Sequence, residues 1–212
     1  MWLLLDDDVE FAKEFRQMLL RISIFAEVCT TESAIEDAKR LSPSAVFVLR
    51  PHLLLNEGAF LQAFYEKIEN VPLLYVASDK ENACREPNTI PFSNHTQFIK
   101  EAALFFARRF HLDITKTVKG LWQDDLLGQT AFYSRTPLPL SRTQYRIFRY
   151  LLLSYPKRVP MKELAYFTLM RGEDASSRSN IATQIAALNR AALPIAGKKA
   201  VIFEKDGYIL QI

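Results

Sequence analysis

The sequence predicts two units: a parallel α/β domain over residues 1–112, then an α+β domain of three helices and a terminal β-hairpin over residues 119–212. Three observations predict it. Short apolar runs alternate with helical patterns through the first half, the signature of a parallel sheet covered on both faces. In the second half three helical segments are followed by two β-type runs around Lys205-Asp206-Gly207, a strong hairpin signal. Charge divides at the same place. Residues 1–112 carry 12 Lys+Arg against 16 Asp+Glu, a net −4, whereas residues 113–212 carry 15 against 8, a net +7. Asymmetry of this kind fits either a nucleic-acid-binding module joined to something else or a basic surface with no partner.

In the first half, Trp2–Leu5 is an apolar run stopped by Asp6, Asp7 and Asp8, as in a buried parallel strand. Phe11, Phe15, Met18 and Leu19 then recur at helical spacing. Glu27–Thr30 predicts a strand and Thr31–Arg40 a helix. The β-branched and apolar run Ala45–Leu49, preceded by Pro43, predicts a central strand. Gly58–Ile68 predicts a helix, Leu73–Val76 a strand, and Gln97–Phe110 a strongly apolar helix. On that last helix Ile99, Ala103, Phe106 and Phe110 are assigned to the sheet. Phe98, Ala102 and Phe105 then form an adjoining apolar face, which predicts a homodimer contact, the alternative being that neighbouring segments fold over it. Between Ala77 and Ile90, the twelve residues Ser78–Thr89 include Pro87 and Asn88 and show no helical period, so a full helix is not expected there.

In the second half, Leu121–Pro137 holds short β-type runs with a turn at Leu127-Gly128-Gln129. Ser141 and Gln144 form a capping box that starts a helix with Tyr145, Phe148, Leu151 and Leu152 on its apolar face. Pro156 ends it, and Pro160 opens a second helix. A third helix is expected from Ser177 to Ala192, with Ile181, Ile185, Leu188 and Ala192 inward. Three helices and a hairpin in this order predict a winged helix-turn-helix.

Composition excludes other classes. Hydrophobic residues make up 49% and charged residues 24% of 212, which is ordinary globular composition and not that of a disordered or coiled-coil chain. The two cysteines, Cys29 and Cys84, are too few for a disulfide framework or a four-ligand zinc site. The three histidines, His52, His95 and His111, have unrelated spacings, so neither metal nor cofactor is expected. Four apolar residues stopped by three acids do not make a signal peptide, and no apolar run nears the ~20 residues of a membrane span. A cytoplasmic protein without membrane contact is expected.

The first half resembles the receiver domain of two-component response regulators, a flavodoxin-like fold. The resemblance rests on Leu3-Leu-Leu-Asp-Asp-Asp8, Pro43-Ser-Ala-Val-Phe-Val-Leu49, Val71-Pro-Leu-Leu-Tyr-Val76 and Ile90-Pro-Phe92. It implies an acidic pair that holds Mg²⁺, an aspartate phosphoacceptor ending the third strand, a hydroxyl ending the fourth, and a lysine before the Pro-Phe. The acidic pair matches Asp6 and Asp7. The phosphoacceptor position falls on Leu49 or, with one residue of slip, Arg50, neither of which accepts phosphate. The hydroxyl position is Ala77, with Ser78 adjacent, and the lysine position is Ile90. This half therefore reads as a pseudo-receiver, and the acids as a vestigial, solvated strand-end cluster placed to cap the next helix.

The second half resembles the OmpR/PhoB-type effector domain through Leu140-Ser-Arg-Thr-Gln-Tyr-Arg-Ile-Phe-Arg-Tyr-Leu151, Arg158-Val-Pro-Met-Lys-Glu-Leu164, Asn180–Leu188 and Gly207-Tyr208. The resemblance implies a third helix in the major groove of double-stranded DNA and a wing at the minor groove. Asn180, Thr183, Gln184, Ala187 and Arg190 are the expected groove contacts. Lys157, Arg158, Arg171 and Arg178 are expected to anchor phosphates, and Lys205 to reach the minor groove or a phosphate. Ala187 stands where the family more often has arginine. Together the halves imply a response regulator that works without aspartate phosphorylation, as a homodimer and not as an enzyme, touching RNA polymerase near Thr168–Ala175. Two readings stay open: an interaction adaptor that has lost sequence-specific DNA binding, and residual phosphotransfer on Asp6 or Asp7.

Overall fold

The computed structural model describes all residues except 51–56, 69–70, 78–87, 93, 111–112 and 170–173. It divides into two units, Met1–Leu112 and Asp113–Ile212.

The first unit is built on five parallel strands in the order β2-β1-β3-β4-β5, the order of the flavodoxin-like doubly wound fold. They are β1 (Trp2–Leu5), β2 (Ala26–Cys29), β3 (Ala45–Val48), β4 (Leu73–Ala77) and β5 (Thr89–Pro91). Between them come α1 (Val9–Arg21), α2 (Ala34–Leu41) and α3 (Glu57–Lys67), and α4 (His95–Phe110) follows β5. Every residue of β1 and β3 is buried, as expected of strands covered on both faces. Alternation along them makes two cores. Leu3, Leu5, Val46 and Val48 pack with Ala34, Ala38, Phe60 and Phe64. Trp2 and Phe47 face the other way, into an aromatic cluster with Phe15, Phe92 and Phe98.

α2 begins three residues later than expected. Thr31 is taken by Asp7, whose Oδ1 accepts from its backbone N–H and from its hydroxyl, both at 2.8 Å. The chain makes a turn from Thr30 to Ser33 before the helix starts. Most of Ser78–Thr89, where a helix was not expected, lies outside the described residues.

The dimer assignment on α4 needs correction. Phe98 and Ala102 are fully buried inside the unit. Phe98 rings lie 5.6–6.3 Å from Trp2, Phe15, Phe47 and Phe92. Residues 98, 102 and 106 follow at i, i+4 and i+8, so they form one sheet-facing stripe with Ile99, not a second surface. Phe105 is half-buried, and among the described side chains of the helix Leu104 is the large apolar one left outside, 49% exposed.

The second unit opens with an antiparallel sheet, β6 (Lys116–Lys119), β7 (Trp122–Asp125), β8 (Thr130–Tyr133) and β9 (Thr136–Pro137). Then follow α5 (Arg142–Ser154), β10 (Val159–Pro160), α6 (Met161–Leu169), α7 (Ala175–Ala196), β11 (Val201–Glu204) and β12 (Gly207–Leu210). Ser141 and Gln144 close the expected capping box on α5. Pro160 is paired in β10 against β12 instead of opening α6. α7 outruns the expected Ser177–Ala192 at both ends. Asp174 caps it, accepting from the Ser177 N–H at 2.6 Å, and left-handed Gly197 closes it on the Leu193 carbonyl.

The hairpin turns at Lys205, φ +55°, and Asp206. Gly207 already belongs to β12, and a Cβ there would stand 2.9 Å from the Val159 carbonyl oxygen. Close approach of β10, not the turn itself, therefore requires glycine at this position.

A buried ionic knot joins α5 to β7. The Arg149 guanidinium bonds the Asp124 carboxylate, which also accepts from Tyr145 Oη at 3.0 Å and the Thr117 N–H at 2.8 Å. Burial lowers the Arg149 pKa to about 10, which still leaves it charged at neutral pH. Trp122 donates from Nε1 to the Gln211 carbonyl at 2.7 Å and fixes the chain end against β7. Among the described residues no helix is long and apolar enough to cross a membrane.

Candidate functional site

In the first unit the acidic residues lie just past the end of β1, where open α/β sheets bind ligands. Asp6 is not the solvated residue expected: it is 3% exposed. Arg50, just past β3, closes on it with two hydrogen bonds, Nε to Oδ2 at 2.8 Å and Nη2 to Oδ1 at 2.7 Å. The same guanidinium lies 3.2 Å from Asp8 Oδ2 and 4.2 Å above the centre of the Phe11 ring. Asp8 also does the capping foreseen for the cluster, accepting from the Phe11 N–H at 3.2 Å. That hydrogen bond, followed by Arg50, holds its carboxyl below the ordinary value, while Asp6 and Asp8 hold Arg50 well above its own.

The acids are thus occupied from within the chain. A fixed, bidentate guanidinium stands among them, and a divalent cation there would meet it as a like charge. Leu49 is buried, Ala77 is half-buried, and Ile90 is buried in β5; Ser78 lies outside the described residues. Among the described residues, no group of three or more His, Cys, Asp or Glu could hold a metal. Cys29 is buried and its thiol is pushed up by desolvation, which makes it a poor nucleophile.

In the second unit α7 presents a long outer face. Ile181, Ile185, Leu188 and Ala192 are buried as expected. Arg178, Asn180, Thr183 and Arg190 are exposed, and Gln184 and Ala187 are half-buried. Thr183 donates its hydroxyl proton back to the Ser179 carbonyl at 2.9 Å, which leaves its oxygen as an acceptor. Lys205 is exposed at the hairpin tip.

Two expected phosphate anchors are already paired with acids. Lys157 Nζ is 3.3 Å from Glu163, and Arg158 Nη2 is 3.2 Å from Glu204. Arg171 lies outside the described residues. Sequence reading missed both carboxylates: Glu204 is 46 residues from its partner, whereas Glu163 is six residues from Lys157 and was a local signal left unused. It also missed Asn189, which bonds both the N–H and the C=O of Val201 at 2.8 Å and so fixes the hairpin to α7. A helical wheel places Asn189 beside the buried Ile185 and Ala192, and a polar residue on that flank was the available signal.

No family model matches the chain, and no curated protein matches it. Solved structures do. DrrB of Thermotoga maritima, described as a response regulator and OmpR/PhoB homolog, aligns with 100% of this chain and 98% of its own at 15% identity and a TM-score of 0.43. The DNA-binding domain of CpxR from E. coli covers 45% of this chain and 94% of its own at 18% identity and a TM-score of 0.39. A streptococcal protein, from a family described as redox sensors evolved from two-component response regulators, covers 99% and 98% at 14% identity and a TM-score of 0.39. At these identities and TM-scores the likenesses do not assign the chain to a family.

Proposed function

We propose that the chain is a DNA-binding transcription regulator of the OmpR/PhoB response-regulator type that acts without aspartate phosphorylation. The observation that carries the reading is the outer face of α7, where Arg178, Asn180, Thr183 and Arg190 stand exposed on a helix braced to a hairpin through Asn189. These side chains suit a major groove: arginine pairs with guanine or phosphate, asparagine with adenine, and a threonine methyl with thymine. The net +7 over residues 113–212 supplies the attraction to the DNA backbone.

The first unit serves self-association or a non-phosphate input. Arg50 among the acids supports this part, because neither it nor Leu49 accepts a phosphoryl group and its guanidinium holds Asp6, one member of the acidic pair. Self-association would set two winged helices on paired half-sites. Contact with RNA polymerase is assigned near Thr168–Ala175, of which residues 170–173 lie outside the described residues.

Selection of duplexes from a random library by untreated protein, at two salt concentrations, tests the reading. A repeated or palindromic motif without phosphodonor is expected, and retention no better than the low-salt background would overturn it. A second reading, a protein-interaction adaptor, is favoured by the Lys157–Glu163 and Arg158–Glu204 pairs, which take two cations away from phosphates. Background retention would move it to the front.

A further inference from the structure

At the β5 edge of the first sheet, β5 and α4 flank an open groove of about 320 Å³, at the lower end of small-molecule site sizes. We propose that it binds a small amphiphilic anion, an apolar chain bearing a carboxylate or phosphate head.

The apolar part of the groove is Ile90, Pro91, Leu104 and Phe105, and Arg108 and Arg109 stand at one end. Neither arginine has an acidic partner among the described residues. Both are in the last turn of α4, where cations suit the helix dipole. That accounts for their charge but not for an exposed leucine beside them, nor for Thr89. Thr89 also lines the groove, and its hydroxyl oxygen is buried without a hydrogen-bond partner among the described residues.

Polarity fixes the orientation. Glu101 lines the other end, seven residues or about 10 Å along the helix from Arg108. An anionic head is attracted to the two guanidiniums and repelled from Glu101, so the chain lies along Leu104 and Phe105 with its uncharged end toward Glu101. Pro91, which lacks an N–H, blunts the sheet edge and disfavours an added peptide strand as the occupant. Such a ligand would give the first unit an input that does not use its acidic residues.

Titration of the full chain with octanoate and octyl phosphate, followed by calorimetry and by the methyl resonances of Ile90 and Leu104, tests this. Saturable 1:1 binding below about 1 mM is expected, with both methyls shifting. Octyltrimethylammonium and octanol are expected to bind about tenfold more weakly or worse, as is octanoate to the Arg108→Gln/Arg109→Gln variant. Both arginines are exposed, so that variant should fold, and its unfolding midpoint checks this. Absence of saturable binding, binding indifferent to head charge, or an unaffected variant would each overturn the proposal. None of these outcomes depends on whether the second unit binds DNA.

Discussion

Arg50 and Asp6, separated by 44 residues in sequence, meet in a two-bond ion pair at 2.7 and 2.8 Å just past the ends of β3 and β1. The Asp6 side chain is 4% exposed and the Arg50 side chain 24%. The pair is therefore shielded enough to matter, but the arginine is not fully desolvated.

Arg50→Ala should lower the unfolding free energy by about 1–3 kcal/mol, because it strands a buried carboxylate. Asp6→Asn in that background should recover part of the loss, since the stranded charge disappears. Urea unfolding of the three proteins checks both values. A loss below about 0.5 kcal/mol would mean that the pair behaves as a surface salt bridge.

Acid stability follows from Asp8. Its folded pKa lies below the ordinary 3.8, so the unfolded chain takes up that proton first as pH falls. Its contribution is fully present above 3.8 and is lost progressively below it. Asp8→Asn should therefore flatten the fall of the unfolding midpoint below pH 4 while leaving its pH dependence from 5 to 7 unchanged.

Phe98→Ala should destabilise the first unit by about 3–5 kcal/mol, the cost of emptying a packed aromatic site. Equilibrium denaturation would show it, while sedimentation of the folded fraction should show no specific loss of self-association. Dissociation with unchanged stability would restore the dimer role that burial removes.

Much of the fold was legible in the sequence. Local signals placed the capping box at Ser141 and Gln144 and the apolar runs of β1 and β3, because caps and short buried strands are encoded within a few residues. Long-range pairings were not legible. Arg50 with Asp6, Arg158 with Glu204 and Arg149 with Asp124 join residues 25 to 46 apart, and nothing local distinguishes such a charge from a solvated one. The α4 error had a different source. Its residues are apolar around most of the helix, so a wheel alone could not say whether Phe98 or Ala103 met the sheet.

Glu204→Gln should free Arg158 for a phosphate. Duplex binding is expected to tighten, and the dependence of log K on log salt to steepen by about one. Arg190→Ala should weaken binding by about 1–3 kcal/mol and relax selectivity at one position. Anisotropy titrations across a salt series separate the two effects. Unchanged slopes in both variants would place DNA elsewhere on the unit.

The most direct test measures the affinity of untreated full-length protein for a selected duplex, before and after incubation with acetyl phosphate and Mg²⁺, with intact mass recorded alongside. Arg50 among the acids predicts specific binding in the untreated protein, no gain of about 80 Da on an aspartate, and an affinity unchanged within about twofold. A phosphorylated species that binds tenfold more tightly would contradict phosphorylation-independent action, and the absence of specific binding in both states would contradict the DNA-binding assignment itself.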